Sequence, residues 1–226
     1  MKKFMITMFF GLALSSCGVY LPQSSDIPLI NKKNDLRIDA GVSSAGTAGT
    51  ATVSYGISNN IVIQGYGNIG TNDKYFFQGA VGYYKNLNNR NVMEIYGGYG
   101  SGYGYSKHHD ILTKYSGDYQ TYFTQFNFGK LGNETSIWDV GLSIKPGLFH
   151  ANLVKETHLL DGTEIILSEP FVGNSFFVEP SFFARIGDEH LKLSIKLGGL
   201  YIHTMNEGKY LPHFPINLGV GLNYRL

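Results

Sequence analysis

The chain is poor in what a helical membrane protein or a disulfide-built secreted domain would need. Its 226 residues include one Cys and one Trp, and a lone Cys excludes an intramolecular disulfide. An excess of charge of either sign is missing too. With 18 basic against 17 acidic residues, the strong positive bias of a nucleic-acid binder is excluded. The apolar run at the N-terminus, Phe4 to Leu14, is eleven residues long, short of the roughly 20 that a membrane-spanning helix needs. What the chain has instead is 29 Gly, 16 Tyr and 15 Phe. Abundant Gly and aromatics with few helix-forming stretches favour an all-β membrane or barrel protein.

The rest is organised around the last stretch, Phe214 to Leu226. Ile216, Leu218, Val220, Leu222, Tyr224 and Leu226 alternate with Asn217, Gly219, Gly221, Asn223 and Arg225. A period of two puts these sets on opposite faces of a β-strand. The run exceeds the ~5–6 residues usual in soluble domains and matches the ~9–11 of a tilted bilayer-crossing strand. Such a strand is expected to close a sheet against the first.

That first strand alternates Leu36, Ile38, Ala40 and Val42 with Arg37, Asp39, Gly41 and Ser43. Ala51 to Ile57, Ile61 to Ile69, Tyr75 to Tyr83 and Met93 to Tyr99 supply four more. Further strands centre on Phe126, Leu142, Phe182 and Ile195. The expected fold is an antiparallel up-and-down transmembrane β-barrel of ten strands, with eight possible because the second and third are weakly patterned. Short connections follow the even-numbered strands. Long polar ones (Ser106–Asp118, Ala151–Pro170, Thr204–His213) follow the fifth, seventh and ninth, which matches short periplasmic turns and long outer loops. Tyr55, Tyr83, Phe128, Trp138 and Tyr224 fall at the short-turn ends. Phe77, Tyr99, Tyr122, Phe176 and Tyr201 fall towards the other ends, giving two aromatic belts at the heights of the bilayer interfaces.

Alternation alone allows either face to look inward. A soluble lipocalin-like barrel, holding an apolar ligand, would turn its apolar row in. Here the polar row carries Arg37, Asp39, Glu94, Asp139, Lys145, Glu179, Arg185, Lys192, Lys196 and Arg225. At about 2–4 kcal/mol for a basic residue on the lipid face at mid-bilayer, the inward placement is favoured. Those four acids and six bases are expected to pair across a largely filled lumen.

Few motifs suggest chemistry. Gly65-Tyr66-Gly67-Asn68-Ile69-Gly70 matches G-x-G-x-x-G, but no helix follows to hold a phosphate. Asn133-Glu134-Thr135 matches a glycosylation sequon in an expected periplasmic turn. His108, His109, His150, His158, His203 and His213 fall on the expected outer loops or strand tops, among Asp110, Asp118, Glu156, Asp161, Glu164, Glu169 and Glu207. Of these, His108, His109, His203 and His213 are the candidate metal ligands, and a His–acid pair is the candidate water activator. No ligand spacing such as H-E-x-x-H accompanies them, no catalytic residue is assigned and no cofactor is expected.

Met1-Lys2-Lys3, the apolar run and Ser15-Ser16 form a secretory signal. Leu14-Ser15-Ser16-Cys17 resembles the lipobox of bacterial lipoproteins. The resemblance implies cleavage before Cys17 and lipidation of its sulfur and new amino group. Gly18 to Asn34, with Pro22 and Pro28, reads as a linker from a periplasmic lipid to the barrel rim. The expected organisation is therefore a signal over residues 1–16, a lipidated Cys and linker over 17–34, and a barrel over 35–226. In architecture the mature chain resembles the lipoprotein outer-membrane β-barrels of two-membrane bacteria. That resemblance implies an outer-membrane location, with membrane lipid and the barrel-assembly machinery as partners. Long polar loops without a catalytic constellation favour a structural or surface-interaction role over an enzyme. An enzyme or metal-binding barrel using its outer-rim His and acidic residues is one alternative, and a soluble lipid-tethered barrel binding an apolar ligand is the other.

Overall fold

The structure, a computed structural model, describes residues 18–20, 27–43, 47–87, 90–108, 113–132, 137–158, 165–205, 211–213 and 215–226. The expected signal, Cys17, His109 and the Asn133 sequon lie outside these residues. So do Asp110, Asp161, Glu164 and Glu207.

The described residues form a closed antiparallel barrel. Its strands are β1 (Leu36–Ser43), β2 (Thr47–Gly56), β3 (Ile61–Gly70), β4 (Tyr75–Asn86), β5 (Asn91–His108) and β6 (Thr113–Lys130). β7 (Trp138–His158), β8 (Ile165–Gly187), β9 (Leu191–Gly199), β10 (Tyr201–Thr204) and β11 (Ile216–Arg225) complete it. Each strand from β1 to β8 pairs with the next; β9 pairs with β11 and β11 with β1, which closes the sheet. On β8, Gly198 pairs with Ser181 and Tyr201 with Val178, a single register. β9 and β10 are thus one stave, interrupted where the Leu200 N–H donates to the Pro215 carbonyl. The count is ten. The weakly patterned second and third strands pair from Thr47↔Gly70 to Gly56↔Val62, so the eight-stranded option falls away.

Alternation dictates the two faces. Ile195, Leu197, Leu218, Val220 and Leu222 on neighbouring β9 and β11 are about half exposed outside, while Ser194 and Asn217 are buried inside. All ten aromatics expected in two belts point outward. On the upper row Tyr99 pairs with Tyr122, Tyr122 with Leu148 and Leu148 with Phe176, with Tyr99 and Tyr122 rings 5.2 Å apart.

Two of the expected long loops are mostly strand. β5 and β6 stay paired out to His108↔Thr113, and β7 and β8 out to His158↔Ile165. The reason is cross-strand complementarity in segments that read as polar loop. Lys114 meets Glu156 at 3.3 Å and Lys155 meets Glu169 at 3.7 Å, while Ser106, Thr113, Leu153 and Phe171 turn inward and are buried. The wall is consequently uneven. β1 to β4 have 8 to 12 residues and β5 to β8 have 18 to 23. Above Phe176, β8 continues for roughly 35 Å of strand at ~3.3 Å per residue.

Candidate functional site, the occupied lumen

The inner face holds the ten charged residues of the polar row. Arg37, Asp39, Glu94, Asp139, Lys145, Glu179 and Arg185 are buried, and Lys192, Lys196 and Arg225 are partly so. Lys196 Nζ donates to Asp39 at 2.6 Å and Lys192 Nζ to Asp139 at 2.7 Å. Lys145 lies 3.2 Å from Glu179, while Arg185–Asp39 and Arg37–Asp139 are longer, at 3.8 Å. Glu94 differs from the expected pattern of acid facing base. Its carboxylate accepts from the Ile30 N–H at 2.7 Å and from Asn127 Nδ2 at 2.9 Å.

Ile30 belongs to the stretch that reads as a linker in sequence. Where it is described, that stretch lies inside the barrel. Val19, Tyr20, Ile27, Leu29 and Ile30 are all at most 1% exposed. A segment threaded through a charged lumen must have its backbone groups satisfied, and inward side chains do this. Arg185 donates to the Ile27 carbonyl at 2.9 Å, and Lys74 Nζ to the Gly18 carbonyl at 3.1 Å. The Val19 N–H donates to the Pro212 carbonyl at 2.9 Å, beside a parallel bridge between Tyr20 and His213. Below, Arg225 grips Asp35 in a bidentate pair of 2.9 Å contacts and also reaches Asn31.

Tyr20 is the centre of the upper lumen. Its ring lies 5.1 Å from Phe149, 5.6 Å from Tyr119, 5.8 Å from Phe177 and 6.4 Å from Phe76. Its hydroxyl donates to Glu179 Oε1 at 2.9 Å. Room for these rings comes from the Gly/Tyr-rich stretch of β5. A Cβ on Gly98 would sit 2.4 Å from Phe123 Cζ, and one on Gly100 2.3 Å from Phe76 Cζ. The intervening Tyr99 faces outward. Lys145 links the two kinds of filling: it reaches Glu179 and Gln78 and lies 4.5 Å over the Phe123 ring.

Below the segment a cavity of about 560 Å³ opens at the short-turn end, lined among others by Lys32, Arg90, Asp139, Lys192 and Arg225. The adjoining turn is tied by Asp188, which accepts the His190 and Leu191 N–H groups; these bonds hold its carboxyl below the usual range.

The histidines are dispersed. His203 lies on the exposed face of β10, paired with Phe176, while His213 is half-buried beside Tyr20 with its Nδ1 2.9 Å from the Leu211 carbonyl oxygen. His150 faces outward against Asn174 at 2.7 Å. His108 ends β5, with its side chain outside the described residues. Among the described residues no three His, Cys, Asp or Glu side chains gather as a metal site.

Sequence reasoning missed Tyr20, Asp35 and the lumenal course of Ile27 to Asn34. A signal was there: Ile27, Leu29 and Ile30 are too apolar for a solvated tether. Searches against protein-family models and curated proteins find no match to this chain.

Proposed function

We propose that the protein is a bacterial outer-membrane β-barrel lipoprotein with a closed lumen, whose role is structural or surface-interacting rather than transport. The observation that carries this is the division of its two faces. Outside, Leu, Ile, Val and aromatic side chains stay exposed around the wall, an arrangement that costs free energy in water and none in hydrocarbon. Inside, paired charges, an aromatic cluster and the chain's own N-terminal segment occupy the space. A soluble barrel binding an apolar ligand would reverse both faces. Membrane lipid is then the exterior's partner, and the barrel-assembly machinery its partner in biogenesis. The hairpins of β5 to β8 form the surface for an extracellular partner.

The barrel should run at different positions on SDS gels with and without boiling and should need detergent once the lipid is removed. In planar bilayers it should give little or no steady conductance. Large, stable, porin-like channels would sink the closed-lumen reading, and solubility without detergent would sink the membrane one.

A further inference from the structure

Gly18 and Arg225 lie at opposite ends of the barrel. Asn31, Asp35 and Arg225 meet at the short-turn end, where the Asn34 N–H also donates to the Gly56 carbonyl. Gly18 is held at the other end by Lys74, the residue just before β4. Between them the described chain passes Glu94, Arg185 and Glu179 inside the wall. We infer that the N-terminal segment crosses the membrane through the barrel's own lumen, so that Cys17 emerges at the long-hairpin face and its lipid enters the leaflet on that side, the cell-surface leaflet. The side of the lipid rests on the outer-membrane lipoprotein reading; the passage through the lumen rests on geometry alone.

The uneven wall supplies the exit. β1 to β4 end low, and Lys74 sits at this rim, next to the outward aromatics Tyr75 and Phe77 that mark the interface. Cys17 Cα is one peptide step, about 3.8 Å, from that of Gly18. Covalent geometry thus ties a lipid on Cys17 to the rim where Lys74 holds the Gly18 carbonyl. On the other side Val19 is fenced by β5, where a Cβ on Gly104 would come within 2.4 Å of Val19 Cγ1, and by Pro212. A periplasmic lipid would have to draw Gly18, Val19 and Tyr20 back through a lumen in which Tyr20 is fully buried. Since an acylated Cys is bulkier than any side chain in that lumen, the barrel must close around the segment during assembly.

Four measurements separate the components. A photo-activatable benzoylphenylalanine in place of His213, in outer membranes, should cross-link to Gly18–Tyr20 when mapped by mass spectrometry. An oxidised Tyr20→Cys/His213→Cys pair should give a reductant-sensitive gel shift. A folded, heat-modifiable barrel with neither signal overturns the passage. An impermeant maleimide on intact cells should label Thr71→Cys at the long-hairpin face and spare Glu189→Cys at the short-turn face. The reverse pattern would put the lipid in the periplasmic leaflet and overturn the cell-surface assignment. A clickable fatty acid should mark the wild type and not Cys17→Ser. Cross-linking without acylation would refute the lipoprotein reading while leaving the passage standing.

Discussion

The two halves of the lumen are filled by different physics. Towards the short turns, Asp35, Arg37, Asp39, Asp139, Arg185, Lys192 and Arg225 surround the backbone of Ile27 to Asp35 with charges and hydrogen bonds. Towards the long hairpins, Tyr20, Phe76, Tyr119, Phe149 and Phe177 make an apolar plug with Val19, Leu153 and Leu211. The difference follows from what the wall offers. In the lower half, long basic side chains span from strand to segment and supply the donors that a threaded carbonyl needs. In the upper half, inward glycines on β5 leave a groove for rings, and the segment contributes one ring of its own. Breaking a paired charge is therefore expected to cost more than crowding or trimming a ring.

The largest effect should come from Arg185→Ala. Arg185 is fully buried, donates to Ile27, lies 3.8 Å from Asp39 and stacks 4.2 Å over Phe183. Its loss leaves a buried carbonyl and a weakened carboxylate site, at a cost of about 3–5 kcal/mol, read from denaturant unfolding in detergent micelles. An effect under about 1 kcal/mol, the level of a surface ion pair, would mean that the lower half is solvated.

Next comes the outside. Ile195 lies mid-strand on β9, between the aromatic rows, paired with Val220 and Ala184. Ile195→Lys should destabilise the barrel by about 2–4 kcal/mol in a bilayer if that face meets hydrocarbon. Lys at Ser194, one residue away and inward, serves as the lumenal counterpart. Equal folding of Ile195→Lys and wild type in lipid would put the membrane belt elsewhere.

In the upper half, Gly100→Val should cost about 1–3 kcal/mol by overpacking against Phe76. Gly97→Ala on the same strand meets nothing within 4 Å and should stay within ±0.5 kcal/mol. Tyr20→Phe keeps the ring cluster and removes only the hydroxyl that Glu179 accepts from, a loss of about 1–3 kcal/mol. If Gly100→Val and Gly97→Ala unfold alike, the inward groove is not what admits the rings.

The barrel was largely legible in the sequence because period-two alternation is a local signal: each of Leu191 to Leu197 carries its own facing. The inward charges were legible for the same reason. Partner choice was not, since Asp39 meets Lys196 and Arg185 through strand order and tilt, quantities that no local window contains. The N-terminal segment was misread as a tether because Pro22, Pro28 and Lys32-Lys33 are the usual marks of one, and only its apolar Ile27, Leu29 and Ile30 suggested burial. The hairpin extensions read as loop because, beyond the outer aromatic row, these paired strands carry polar and charged residues such as Lys114, Glu156 and Glu169. Their pairing is visible only across strands.

The smallest effect should come from those extensions. Glu169 faces Lys155 at 3.7 Å with half its side chain exposed, whereas Glu179, ten residues further along the same strand, is buried against Lys145 and Tyr20. Both pairs join one carboxylate to one lysine, so burial is the main variable. Solvent screens the upper pair, and Glu169→Ala should change stability by only about 0–1 kcal/mol, less at high salt. Glu179→Ala leaves Lys145 buried beside the Phe123 ring and the Tyr20 hydroxyl without its acceptor, at about 3–5 kcal/mol with little salt dependence. Unfolding both variants in parallel at low and high salt tests whether the hairpins stand in water while the lumen stays dry. A Glu169→Ala loss as large and as salt-independent as that of Glu179→Ala would place the hairpin tips in a buried interface with another molecule.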